Sequence, residues 1–191
     1  MDERDKILNK LPRPTGDKKP SAYISMDKNA GIDLVTEFIG NLSACGGRGI
    51  QVKKENVEVT INEIYGNPDR VMNLSGFSSF PSRNTEISVQ VKIDQIDLLI
   101  VDGLIGVAGN GAVWLTEDKI GERKFPFIAT DILILLQQDL LVPDLFQAYP
   151  RIDLSTGFGL WIAGPSKTAD IEQSLVIGAQ GALRHTVFIF G

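Results

Sequence analysis

The sequence predicts an α/β fold in which helices sandwich a sheet, and three observations carry that expectation. Residues 98–101 (Leu-Leu-Ile-Val) and 132–136 (Ile-Leu-Ile-Leu-Leu) are continuous apolar runs of strand length, the pattern of strands buried on both faces. Segments with helical apolar spacing precede and interrupt such runs and supply the covering layers. At 191 residues, 43% of them hydrophobic, the chain can build one domain with a real core.

Residues 1–20 hold ten charged positions together with Pro12, Pro14 and Pro20. So little apolar surface cannot pack, so this stretch reads as a flexible leader, or else as an arm that orders on a partner. The domain proper is expected over residues 21–191. Ile32, Val35, Phe38, Ile39 and Leu42 share one helical face that closes at Gly46-Gly47, with Ser25 or Asp27 as its cap. Val57, Ile61 and Ile64 suit a second helix, whereas Val57, Val59 and Ile61 suit a strand. Strands are expected at 98–101, 105–108, 112–116, 127–129, 132–136, 159–163 and 186–190. A helix beginning at Pro143, with Leu145, Phe146 and Tyr149, and another starting near Thr168 interrupt them.

Charge and composition exclude several functions. Nineteen Lys and Arg against 24 Asp and Glu give a net charge of -5, contrary to the positive face on which nucleic-acid binding rests. One cysteine and one histidine cannot ligate a Cys/His zinc ion or an iron–sulfur cluster, and no metal or cofactor is expected. The first ten residues lack the apolar core of a signal peptide, and no run approaches the roughly 18 apolar residues of a membrane span. A cytoplasmic location is expected, which suits the unpaired Cys45.

Three glycine-punctuated segments carry the candidate site. In residues 102–111 four glycines fall within nine positions between two strands. Asn110 and Gly111 either make a tight hairpin turn or allow a ligand to approach the backbone. After the strand at 159–163 come Gly164, Pro165, Ser166, Lys167 and Thr168, then Asp170 and Glu172. Ser166 or Thr168 can cap a helix there, and Lys167 adds positive charge beside free N–H groups. Asp170 and Glu172 would satisfy the same helix dipole, so the segment is either self-capped or holds a polar ligand through hydroxyls and carboxylates together. The third segment, 178–182, contains Gln180. His185, beside Arg184, reads as a surface residue rather than a general base. Cys45, Trp114 and Trp161 read as packing residues, and no Gly-x-Ser-x-Gly elbow marks a hydrolase.

The run Ser166-Lys167-Thr168-Ala169-Asp170-Ile171-Glu172, followed by Gly178-Ala179-Gln180-Gly181, resembles the carboxy-terminal signature of the LUD-domain family, the lactate-utilization LutC/YkgG group. That family carries Ser-x-Thr-Ala-Asp-Ile-Glu after a strand, then Gly-Val-His-Gly-Pro and an aliphatic last strand. The segment 108–113 aligns with its Ala-Glu-Thr-Gly-Thr. The resemblance covers about residues 97–191. It implies a three-layer α/β/α sandwich around a mixed, mostly parallel sheet, the NagB/RpiA/CoA-transferase-like fold. It also implies an accessory role beside iron–sulfur partner proteins in oxidising lactate to pyruvate. Here Gly109 replaces the family's Glu, Asn110 and Ala112 its two Thr, and Gln180 and Ala182 its His and Pro. Those changes remove two acid/base groups from the presumed cleft. The alternatives left open are a sugar-phosphate or acyl-CoA isomerase or transferase of the same fold, and a non-catalytic scaffold.

Overall fold

The computed structural model describes residues 33–83, 96–153, 157–168, 176–178 and 181–191. The leader at 1–20 and the proposed caps Ser25 and Asp27 lie outside them. The first helix, α1 (Leu34–Ala44), is capped instead by Asp33, whose carboxylate accepts from the Val35 N–H at 3.1 Å and the Thr36 hydroxyl at 2.5 Å. Val35, Phe38 and Leu42 form its buried face. At its end the Cys45 and Gly46 N–H groups bond back to Asn41 and Ser43, and Gly46 takes a φ of 85°.

Strand β1 (Arg48–Gln51) leads into α2 (Val57–Tyr65). Here helical spacing prevails over alternation: Val57 and Ile61 are buried, while Val59 is 56% exposed. A strand would have put all three on one face.

Five strands then form one parallel sheet in the order β1, β11 (Arg184–Phe190), β6 (Ala129–Gln137), β3 (Ile96–Asp102) and β2 (Val71–Asn73). Leu99, Val101, Ile132, Ile134, Val187 and Ile189 pack on one face with α1. Leu98, Ile100, Leu133, Leu135, Phe188 and Phe190 pack on the other with Val57 and Ile61 of α2. Helices therefore cover both faces, and the apolar runs at 98–101 and 132–136 lie where double burial requires them.

The mixture of strand directions is divided between sheets. A second, four-stranded sheet runs β7 (Leu141–Val142), β4 (Ile105–Val107), β5 (Ala112–Thr116) and β8 (Gly159–Ile162). In it β4–β5 and β5–β8 are antiparallel and β4–β7 parallel. The chain passes from β3 to β4 through Gly103 and Leu104, and from β6 to β7 through a 3-10 turn, Gln138–Leu140. A two-stranded antiparallel ladder joins β9 (Lys167–Thr168) to β10 (Val176–Ile177).

Two expected elements change. Residues 127 and 128 do not form a strand: 125–128 make a one-turn helix with Pro126 in its first turn, where a fixed φ is pre-set for helix, and β6 begins at Ala129. The helix expected from Pro143 is a single turn, Leu145–Ala148. It is capped by Asp144 and followed by a 3-10 turn, Tyr149–Arg151, that contains Pro150. Among the described residues no helix is long and apolar enough to cross a membrane.

Asp102, at the end of β3 and 4% exposed, ties down the chain that leaves β2. Its carboxylate accepts from the Ser75 hydroxyl and from the Gly76 N–H at 2.8 Å. Asp102→Asn replaces one acceptor with a donor facing another donor. It should lower stability by about 1–2 kcal/mol, read as a lower urea midpoint with an unchanged slope.

Candidate functional site

The glycine-punctuated segments meet at the carboxy-terminal end of α1. Between β4 and β5 the chain reverses at Asn110 and Gly111, with the Gly111 N–H bonded to the Val107 carbonyl at 2.9 Å. The Asn110 side chain is used within the turn, accepting from the Ala112 N–H at 3.0 Å. Asn41 of α1 donates to the Ala108 carbonyl at 2.8 Å and binds the turn to the helix. Gly111 has a φ of 67°, and a Cβ there would lie 2.4 Å from the Leu42 amide nitrogen. The close approach that Gly111 permits is thus made by helix backbone.

After β8, Gly164 (φ 78°) packs on the same helix end, where a Cβ would fall 2.4 Å from the Cys45 carbonyl oxygen. The Cys45 thiol in turn donates to the Asn110 carbonyl at 3.8 Å. Cys45, half-buried, therefore touches both loops and occupies space where they converge. Ser166 is held through its backbone, its N–H to Ala182 at 3.0 Å and its carbonyl accepting from Gly178 at 2.9 Å. Lys167 reaches over Gly46, with its Nζ 2.7 Å from where a Cβ of residue 46 would be. A cation there complements the carbonyl end of α1, the opposite helix pole from the one expected for it. Lys167 and Thr168 are strand, and the residues over which a helix was expected to continue, 169–175, lie outside the described residues. Asp170, Glu172 and Gln180 lie outside the described residues.

His185 is a correction. It is 2% exposed, not a surface residue. Strand alternation explains this: the Arg184 side chain turns outward, 70% exposed, to pair with Asp131, and His185 joins Val187 and Ile189 on the α1 face. Its Nδ1 accepts from the Gly164 N–H at 3.0 Å, which places the neutral ring's proton on Nε2. That Nε2 is buried without a hydrogen-bond partner among the described residues. Burial pushes the imidazole pKa down to about 4, so at neutral pH the ring is an uncharged acceptor that fixes Gly164. Its inward position was legible in the alternation 185, 187, 189. The part played by Asn41 and Cys45 had no local signal, since both act through contacts distant in sequence. Among the described residues no group of three or more His, Cys, Asp or Glu is placed to hold a metal ion.

This arrangement belongs to a known architecture. The crystal structure of a DUF162 family protein from Deinococcus radiodurans superposes with a TM-score of 0.62, covering 83% of this chain and 96% of that one at 14% identity, which establishes the α/β fold. The chain belongs to the LUD domain family, whose domain matches residues 70–190 and so takes in β2 as well as the expected carboxy-terminal part. It is similar to Lactate utilization protein C of Shouchella clausii, 29% identical over 94% of this chain and 92% of that protein. Similarity to Lactate utilization protein C 1 of Bacillus mycoides is 22% over 99% and 97% of the two chains. With Lactate utilization protein C of Oceanobacillus iheyensis the match is 28% identical and spans 46% of that protein's length, about half.

Proposed function

We propose that this chain is a cytoplasmic accessory protein of lactate utilization, supporting oxidation of lactate to pyruvate beside iron–sulfur partner proteins. The observation that carries this reading is the alignment with relatives named for lactate utilization across nearly the full length of both chains. The single cysteine fits a division of labour in which partners carry the clusters. In this reading a small polar or anionic ligand, or a partner surface, is met by Ser166, Lys167, Thr168, Asp170, Glu172 and Gln180 beside the Asn110-Gly111 turn. Convergence of the loops on Cys45 supports that grouping.

Deleting the gene should abolish growth on lactate and spare growth on pyruvate, and tagged protein should co-purify iron–sulfur subunits. Unchanged growth on lactate would overturn the proposal. A second reading, a scaffold without ligand, is favoured by the way Asn110 and Gly111 are used in packing. Under it, a Ser166→Ala, Asp170→Ala double variant complements the deletion fully; under the first reading it does not.

A further inference from the structure

Away from the α1 end, the four-stranded sheet has an outer face with a small core of its own, built on Ile105, Val107, Trp114, Val142 and Ala148. Where β4 and β5 meet the one-turn helix α3 (Glu117–Ile120) and the chain at 151–153, that face opens into a cavity of about 320 Å³. A cavity of that size lies at the lower end of the range for small-molecule sites.

Its chemistry is divided by depth. Leu104, Ile105 and Trp114 line it with apolar surface, and Trp114 is 7% exposed. The indole lies beside that of its cross-strand partner Trp161, ring centroids 5.1 Å apart and tilted by 51°, with Tyr149 packed edgewise on Trp161 at 6.5 Å. Such packing fixes the indole, whose small exposed part joins Leu104 and Ile105 in an apolar wall against which an apolar group can rest. Thr116, 4% exposed, also lines the cavity. It stands at the N-cap position of α3, yet its hydroxyl makes no capping bond and has no hydrogen-bond partner among the described residues. That hydroxyl is fully covered, so Thr116 contributes the shape of the wall rather than a polar contact.

Four charged groups complete the lining. Asp118, Arg151 and Asp153 are exposed at the rim, and Asp153 has an interaction of its own. Lys119 is the half-buried one, so the charge most withdrawn from water is positive. Among the described residues neither Lys119 nor Arg151 forms a salt bridge. An ammonium in a partly dry site and a planar guanidinium at its mouth are the groups that hold a carboxylate.

We propose that this cavity binds a small aromatic monocarboxylic acid, its ring against Leu104, Ile105 and the exposed part of Trp114, and its carboxylate toward Lys119 and Arg151. The proposal does not rest on the lactate reading. The cavity lies on the outer face of the second sheet, on residues the α1 site does not use, and a silent deletion phenotype would leave it standing.

The test uses the full chain, tryptophan fluorescence and thermal shift, with four probes: phenylacetate, acetate, phenethylamine and phenylalanine. Phenylacetate should quench tryptophan emission and raise the melting temperature. Acetate, which lacks the ring, and phenethylamine, which lacks the carboxylate, should do neither. Lys119→Gln and Arg151→Gln should each weaken phenylacetate binding about tenfold or more while the protein stays folded, since each removes a charge-assisted hydrogen bond. Absence of phenylacetate binding, equal binding of phenethylamine, or affinity untouched by both charge variants would each overturn the proposal. Phenylalanine binding tighter than phenylacetate would overturn it in favour of a zwitterion held by Asp118 as well.

Discussion

Gly111→Ala is expected to destabilise the protein by about 3–5 kcal/mol, a large share of the roughly 5–15 kcal/mol by which a domain is stable. Two costs add. The residue sits at a φ of 67°, a left-handed conformation that charges a side-chain-bearing residue about 1–2 kcal/mol. The new methyl would also lie 2.4 Å from the Leu42 nitrogen and 2.6 Å from its Cα. Those are backbone atoms in the last turn of a packed helix, with no rotamer to yield. Gly164→Ala should behave alike, against the Cys45 carbonyl. Gly40→Ala is the control: it lies in α1 with nothing within 4 Å of a new Cβ, and should stabilise by about 0.5–1 kcal/mol. Urea titration of the three variants measures all of this. A Gly111→Ala midpoint near the parent's would show that the turn does not pack on α1 as described.

Acidification is expected to cost on the order of 3 kcal/mol of stability through His185 alone, at about 1.4 kcal/mol per unit of pKa difference. In the folded chain the ring titrates at about 4, against an ordinary value of 6.5. Between those values the unfolded state takes up a proton that the folded state refuses, so unfolding gains as pH falls. The contribution is complete above about pH 6.5 and is lost progressively down to about 4. His185→Asn keeps an acceptor for the Gly164 N–H and removes the titration, so its stability should be flat from pH 6.5 to 5, where the parent's declines. Parallel profiles in that window would show that His185 is not what the acid attacks.

These two effects mark where sequence reasoning reached and where it stopped. Strands β3, β6 and β11 were legible because burial on both faces leaves an uninterrupted apolar run, a signal carried entirely within the four or five residues of 98–101, 132–136 and 186–190. β1 and β2 were not: Arg48–Gln51 and Val71–Asn73 are short sheet edges whose mixed residues resemble a loop. Residues 127–129 resembled a strand because Phe and Ile suit either state, and Pro126 decides for a helical turn. Within the site, the glycines at 111 and 164 marked sharp turns correctly. What presses against them, a helix backbone and Cys45, is a matter of tertiary approach to which no local pattern points. Arg184 misdirected the reading of its neighbour, since adjacent residues on a strand face opposite ways.

The order of strands has a cost at birth. β11, latest of the five in sequence, lies inside the sheet, between β1 and β6. While the ribosome still holds residues 184–190, β1 has no partner to register against and α1 covers an unfinished surface. Closure must then span more than a hundred residues in parallel pairing, the slowest kind of assembly. Newly made chains will therefore spend time with sticky edges bare, and the cell's holding chaperones are the natural guardians of that interval.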